Sequence, residues 1–174
     1  MRADSLANPE PLIRRVYAYA AYRVGPGPDA EDVTSETFER ALRYRREFDA
    51  RHGEPVAWLI GIARRCISDH FAGRLTLVED VPESEAPGDV AVDTAARIDL
   101  RRAVATLTDR DRELVALRYG ADLTARQIGE LLDMQTNAVE VALHRALRAL
   151  LETLDVPEAA PVQARRLDML EAAE

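Results

Sequence analysis

The side chains best suited to chemistry in this sequence recur along one stretch near its C-terminal end. Asn137, Arg145 and Arg148 stand at spacings that place them on one side of an α-helix. Arginine matches the acceptor edge of guanine, and asparagine matches the edge of adenine. The same stretch offers Thr136, Glu140, Val141 and His144. This face predicts contact with DNA bases or phosphates, and an ordinary solvated helix face is the alternative.

A second group of reactive side chains is smaller. Cys66, Asp69 and His70 lie within one turn or so of a predicted helix and invite a metal-site interpretation. A Cys-x3-His pair supplies two ligands, however, and the sequence offers no second pair. We therefore expect no metal, and we expect Cys66 to be a small buried hydrophobe. Because no nucleophile–base arrangement or phosphate loop appears, we predict a protein that is not an enzyme and needs no cofactor.

The polar stretch is preceded by the signals of a helix-turn-helix. Thr124 and Gln127 form a capping-box pattern that begins a short helix. Gly129 suits a close crossing of two helices, the segment 133–135 predicts a brief turn, and Thr136 is the expected cap of the second helix. A plain helical hairpin is the alternative. These elements would present the polar face described above.

Composition favours a helical protein of the reducing interior of a cell. The chain has 174 residues, only 5% of them aromatic, and a single cysteine. Leucine- and alanine-rich helices packed on helices are therefore more plausible than a sheet. No run of about 20 apolar residues is present, so we expect no membrane insertion and a cytoplasmic location.

The net charge of −8 is concentrated outside the predicted helical halves. Residues 76–96 carry six acids and no base and contain proline and glycine, which predicts a flexible acidic linker. Residues 155–174 form an acidic tail, a candidate helix that could equally be a frayed terminus. The two remaining parts are nearly neutral. The overall acidity therefore does not exclude nucleic-acid binding.

The first half contains apolar residues at helical spacing in three segments. In the second of these, Asp29 is the expected N-cap, and a stripe that includes Val33 and Tyr44 is expected to be buried. The third segment, rich in branched apolar residues, is expected to end at Gly73. We therefore predict an all-α protein: two small helical domains joined by the acidic linker, with the second domain ending in the helix-turn-helix.

Three segments resemble a known family. They are DAEDVTSETFERAL (29–42), AWLIGIARRCISDHF (57–71) and LTDRDRELVALRYGADLTARQIGELLDMQTNAVEVALHRAL (107–147). In this order they resemble a bacterial RNA polymerase sigma factor of the extracytoplasmic-function (ECF) class. The resemblance implies that residues 1–75 bind the polymerase clamp and recognise the minus-ten promoter element. It implies that residues 97–154 recognise the minus-thirty-five element.

The resemblance also assigns candidate site residues. Upstream-element contacts are expected on the polar face of the second helix, together with Arg126 on the preceding one. Minus-ten contacts are expected from the loop and helix residues Arg51, His52, Arg64 and Arg65. Polymerase contacts are expected from Glu31, Asp32, Ser35, Glu36 and Glu39. The implied partners are core RNA polymerase and promoter DNA, an anti-sigma factor is a further candidate, and the free protein is expected to be a monomer.

Some positions depart from the family pattern. Glu140, Ala142 and Leu147 stand where the family often has basic residues, and Arg65 stands where it usually has Asn. Each missing cation would remove a phosphate contact. Two alternatives follow: a helix-turn-helix regulator that binds an operator without polymerase, and a sigma-like decoy or adaptor with weakened DNA recognition. Residues 29–42 have no role in the operator-binding alternative.

Overall fold

The computed structural model describes residues 8–49, 53–77 and 95–154, and these residues form helices with no strand. The all-α prediction is confirmed. Arg51, His52, most of the predicted linker and the acidic tail lie outside the described residues. In chain order the elements are α1 (Pro9–Val24), α2 (Pro28–Tyr44), α3 (Pro55–Leu77), α4 (Ala95–Thr106), α5 (Asp109–Val115), a π-helical turn (Ala116–Gly120), α6 (Ala125–Leu132) and α7 (Thr136–Thr153).

The first half is a three-helix unit made by α1, α2 and α3. Its second helix begins two residues earlier than expected, because Pro28 occupies the first helical position and Gly27 is the N-cap. The expectation that Asp29 caps this helix is therefore wrong. Val33 is buried as predicted, but Tyr44 is 45% exposed because it lies in the last turn, beyond the packed part of the stripe.

The third helix does not end at Gly73 but continues to Leu77. Glycine weakens a helix interior without breaking it, and only a positive φ or a following proline would force an end. The backbone at Gly73 is not in the left-handed region, and a Cβ added there would meet nothing within 4 Å. The prediction of a helix end at this glycine is wrong for that reason.

The second half contains α4 to α7. Thr108 caps α5 through its side chain, which accepts a hydrogen bond from the Asp111 amide. The π-helical turn follows α5 directly and closes with a hydrogen bond from the Ala121 amide to the Ala116 carbonyl, 2.9 Å long. None of the described helices is long and apolar enough to cross a bilayer.

The two halves share one hydrophobic core. Val16 and Ile60 from the first half are fully buried in the same cluster as Leu114, Leu117 and Ile128 from the second. A smaller cluster lies beneath α4 and the C-terminal part of α7. The prediction of two domains on a tether gave no indication of this direct packing. The helices that carry the candidate sites are thereby fixed relative to one another.

Candidate nucleic-acid interface

The helix-turn-helix is built by local interactions that the sequence predicts. The Thr124 hydroxyl accepts from the Gln127 amide at 3.2 Å, and the Gln127 side-chain oxygen accepts from the Thr124 amide at 2.8 Å. This reciprocal capping box is confirmed. At the other end of α6, Asp133 adopts a left-handed conformation with φ 54°. The chain is thereby turned sharply into α7.

Gly129 is required at the turn itself. A Cβ at this position would lie 2.6 Å from the carbonyl oxygen of Met134, closer than any ordinary contact. The Met134 amide also donates to the Gly129 carbonyl at 2.8 Å. The close approach is therefore to the backbone of the turn, whereas the sequence had indicated the crossing helix. The effect is the same, since a tight turn fixes the angle between α6 and α7.

The second helix of the motif separates a buried side from an outer side. The buried side consists of Val139, Ala142, Leu143, Ala146 and Leu150. Every candidate on the outer side is exposed, namely Thr136, Asn137, Glu140, Val141, His144, Arg145 and Arg148. Thr136 is the first helical residue rather than the cap, because Gln135 occupies the extended N-cap position. The outer side thus offers donors, acceptors and one apolar group along a single surface.

At two of the positions that depart from the family pattern, the side chain is buried or half-buried in the structure. Ala142 is 3% exposed and packs in the core, so a cation at this place would not lie on the outer side of α7. Leu147 is half-buried against the smaller cluster. Neither position lies on the fully exposed outer side of α7, and the loss of a phosphate contact at either one stays a prediction. Of the three departures on α7, Glu140 is the one whose side chain is fully exposed.

Arg126 is exposed on α6. Its Nε donates to the Glu130 carboxylate at 2.9 Å, and both side chains are well exposed. Exposed pairs one helical turn apart contribute little to stability and exchange partners readily. The Arg126 guanidinium is therefore an exposed cation that could exchange Glu130 for another anion.

Arg64 and Arg65 are adjacent in sequence but lie in different surroundings. The Nε of Arg64 donates to the Glu113 carboxylate at 2.9 Å, so this side chain points into the contact between the two halves. Arg65 is exposed and lines a depression of about 430 Å³ on the first half. The structure therefore does not bring the two predicted minus-ten arginines together.

The depression near Arg65 includes side chains that were not predicted as site residues. It is lined by Arg40, Arg43, Tyr44, Glu47, Ile62 and Arg65. An exposed tyrosine ring beside several guanidinium groups is a common arrangement for single-stranded nucleic acid, because bases stack on the ring while cations hold the backbone. The sequence did not predict this group of residues, because helical periodicity had assigned Tyr44 to the core and its exposure was not expected.

The candidate polymerase-binding residues share the outer side of α2. Glu31, Asp32, Ser35 and Glu39 are exposed, and Glu36 is half-buried at the edge. Glu36 accepts a hydrogen bond from Arg40, which also donates to Asp69 at 2.8 Å. The other three acids and Ser35 form a polar surface on the outer side of α2, opposite its buried residues.

Cys66 is fully buried beside Thr37, whose hydroxyl lies 3.8 Å from the sulfur. Burial raises the pKa of the Cys66 thiol. These contacts agree with its prediction as a small buried hydrophobe. Among the described residues, no group of three His, Cys, Asp or Glu side chains is placed to hold a metal ion.

Comparison with known proteins identifies the class to which this arrangement belongs. Residues 10–75 match the family model of sigma-70 region 2, and residues 97–150 match that of sigma-70 region 4. The chain is 34% identical to the ECF RNA polymerase sigma factor BldN of Streptomyces coelicolor, over 80% of this chain and 56% of BldN. It is 32% identical to the ECF RNA polymerase sigma factor SigF of Caulobacter vibrioides, over 80% of this chain and 79% of SigF.

The chain belongs to the ECF RNA polymerase sigma factors, and the resemblance noted in the sequence is confirmed. Sigma factors are transcription initiation factors that direct RNA polymerase to promoters. The fold agrees with that of the sigma factor RpoE, solved in complex with the anti-sigma factor NepR from Bartonella quintana. Their TM-score is 0.72 at 20% identity, covering 86% of this chain and 95% of RpoE.

Proposed function

We propose that residues 1–75 bind polymerase and the minus-ten element, and that residues 97–154 bind the minus-thirty-five element. The observation that best supports this proposal is the exposed outer side of α7, which the tight turn at Gly129 holds at a fixed angle to α6. The decisive experiment adds the purified chain to bacterial core RNA polymerase with a library of random upstream sequences in a run-off assay. Enrichment of one upstream motif supports the proposal, and absence of any sigma-dependent transcript refutes it.

In the second domain, we propose that the N-terminal part of α7 reads bases and its later part holds phosphates. Asn137 suits adenine, Glu140 can accept from the amino group of cytosine, and Val141 can contact a thymine methyl group. Val141 is 53% exposed, which is unusual for a branched apolar side chain without a partner. Arg145 and Arg148 lie further along the helix and suit the backbone.

In the first domain, we propose that Arg65, Arg43 and Tyr44 bind the opened minus-ten strand. Their shared depression offers a stacking surface beside positive charge. Arg51 and His52 remain candidates for the same strand. A Tyr44→Ala variant that retains helical content but loses open-complex formation, measured by permanganate reactivity of unpaired thymines, supports this assignment. Wild-type reactivity in that variant would exclude the depression.

We propose that the acidic outer side of α2 binds core RNA polymerase. The best test reverses Asp32 and Glu39 to lysine, because Glu36 is engaged by Arg40 and its replacement would disturb the fold as well. Like charges brought together at an interface should weaken the complex at least about tenfold. The matched control reverses Glu10 and Glu152, two exposed acids on other surfaces. Equal co-elution of both double variants with core enzyme would refute the assigned face.

The family result bears on the two alternatives. An operator-binding regulator would not need residues 10–75, which match sigma-70 region 2. A decoy or adaptor depends on weakened DNA recognition, and its sequence support is reduced to Glu140 because Ala142 is buried. Neither alternative is favoured.

The remaining properties follow from the same proposal. The chain acts in the cytoplasm with polymerase, carries no catalytic activity of its own and is monomeric when free, with an anti-sigma factor as a candidate partner. The acidic segments 76–96 and 155–174 would compete with phosphate for its arginines. Free protein should therefore bind promoter DNA poorly, and gel-shift titration at physiological salt tests this. Tight sequence-specific binding without polymerase would favour the operator-binding alternative instead.

A further inference from the structure

One cation beside the depression near Arg65 is engaged by acids of the protein itself. A terminal nitrogen of Arg40 donates to the carboxylate of Glu36, one turn earlier on α2, and to that of Asp69 on α3 at 2.8 Å. Both bonds use the same nitrogen, so one positive charge faces two negative ones. We call Arg40, Glu36 and Asp69 the ion network. The assignments made above give Arg40 and Asp69 no role in DNA binding.

The ion network lies beside a buried contact between α2 and α3, which fixes its position. Thr37 and Cys66 are fully buried, and the Thr37 hydroxyl lies 3.8 Å from the sulfur. Arg40 and Asp69 each follow one of these two residues by three positions, so each lies about one turn further along its helix. Because buried residues hold α2 against α3, the ion pair can break while the two helices stay in contact.

Arg40 lies between two depressions of the surface. It lines the depression near Arg65, which we propose to bind the opened strand, and it also lines a larger neighbouring one. Asp69 lines the larger of the two but not the depression near Arg65. The hydrogen bond to Asp69 therefore draws the guanidinium towards the neighbouring depression, and the same bond is the main cause that raises the pKa of Arg40. A cation at the edge of the strand surface is thus held by a competing anion.

The ion network is exposed enough to exchange its ions. The side chain of Arg40 is 29% exposed and that of Asp69 is 62% exposed. Ion pairs at such exposure are weak, so another anion can replace the carboxylate at little cost. A phosphate group offers a guanidinium the same kind of acceptor oxygens as a carboxylate does. The opened strand can therefore bind Arg40, but it must first displace Asp69.

We propose that Asp69 is a positioning residue that limits how tightly the opened minus-ten strand is bound, because it withholds Arg40 from the phosphates of that strand. This inference rests on the proposed binding of the strand to the depression near Arg65. A strand that binds Arg40 gains one phosphate contact, but it breaks the ion pair with Asp69 and is repelled by the carboxylate that remains. Loss of the Asp69 charge should therefore make Arg40 available and strengthen strand binding.

The test uses Asp69→Asn, which keeps the size of the side chain and an oxygen that can accept from Arg40 but removes the charge. The probe is a fluorescent fork-junction DNA whose single-stranded part carries the minus-ten sequence of a promoter recovered in the run-off assay. Core polymerase saturated with each variant keeps the affinity for polymerase out of the comparison. Asp69→Asn holoenzyme should bind the fork about three- to fivefold more tightly than wild type, and its salt slope should be steeper by about 0.7.

Three comparisons separate an effect through Arg40 from a general effect of charge. The matched control is Glu10→Gln, which releases Arg14 from an exposed one-turn pair on α1, and it should bind the fork as wild type does. In an Arg40→Gln background, Asp69→Asn should no longer tighten binding, because no guanidinium remains to be released. Asp69→Glu, which restores the carboxylate, should return the affinity to that of wild type.

Two results would overturn the role of Asp69. Fork binding by Asp69→Asn that is equal to or weaker than that of wild type would mean that Asp69 does not withhold Arg40. A gain that persists in the Arg40→Gln background would mean that the Asp69 charge acts directly on the strand. Either result counts against this inference alone if Tyr44→Ala weakens fork binding. Wild-type fork binding by Tyr44→Ala would refute the proposed strand surface itself.

Discussion

Replacement of Asn137 should change promoter choice, whereas replacement of Arg148 should weaken all promoters alike. The two residues are eleven positions apart on α7, which corresponds to about 16.5 Å along the helix axis. The major groove is about 12 Å wide, so a helix end that touches its floor leaves the other residue near the rim. Asn137 lies in the first turn of α7, the end that enters the groove in this motif. We therefore expect Asn137 to read a base and Arg148 to bind a phosphate.

The expected magnitudes separate the two roles. Loss of a base contact in Asn137→Ala should cost about 1–3 kcal/mol of discrimination at one position, or about 5- to 150-fold in relative promoter use. Loss of a phosphate contact in Arg148→Ala should weaken all promoters alike and reduce the salt slope by about one unit.

The assay is transcription of a promoter library by each variant holoenzyme, with Glu152→Ala as a control on the same helix. Loss of preference at a defined upstream position in Arg148→Ala alone would reverse the assignment. An unchanged library profile in both variants would mean that α7 does not read the element, and the decoy alternative would then be preferred.

Three further predictions concern stability. Gly129→Ala should lower the free energy of unfolding by about 1–3 kcal/mol in urea titrations, because its Cβ would overlap a carbonyl oxygen of the turn, whereas Gly73→Ala, in open space within α3, should be neutral or stabilising. A hydrogen bond from Arg23 lowers the pKa of Asp109 below its ordinary value of 3.8. The stability difference between wild type and Asp109→Asn should therefore be fully present above pH 3.8 and should vanish as the pH falls further below it. Because burial raises the pKa of its thiol, Cys66 should react with a maleimide slowly in native protein and rapidly in urea, and fast native labelling would contradict its place in the core.

The sequence predicted the features that depend on neighbouring residues. Two such features are the capping box of Thr124 and Gln127 and the turn after Leu132. Each depends on residues within a few positions of one another, so the sequence pattern alone predicts it. Helix ends were less predictable. At Gly73 a glycine is compatible with a continuing helix, and at Asp29 the preceding proline took the first helical position.

The contacts between the two halves were not predictable from local pattern. Glu113 meets Arg64 across 49 positions and Tyr19 across 94, and no periodicity links such residues. The prediction for Tyr44 was wrong for a different reason. Its helical spacing matched the core, but its place in the last turn of α2 leaves the side chain exposed.

The π-helical turn makes the packing of the two halves depend on the number of residues in the turn as well as on their side chains. Its hydrogen bond from the Ala121 amide to the Ala116 carbonyl encloses one more residue than an α-helical turn would. Deleting a single residue there would convert this turn to an α-helical one and would shorten the segment between α5 and α6 by one residue. Gly120 would then leave the surface of α1, and a bulkier neighbour such as Tyr119 or Ala121 would take its place. Related chains that differ by one codon in this turn could thus differ in how their domains dock, although every residue that contacts DNA or polymerase is the same.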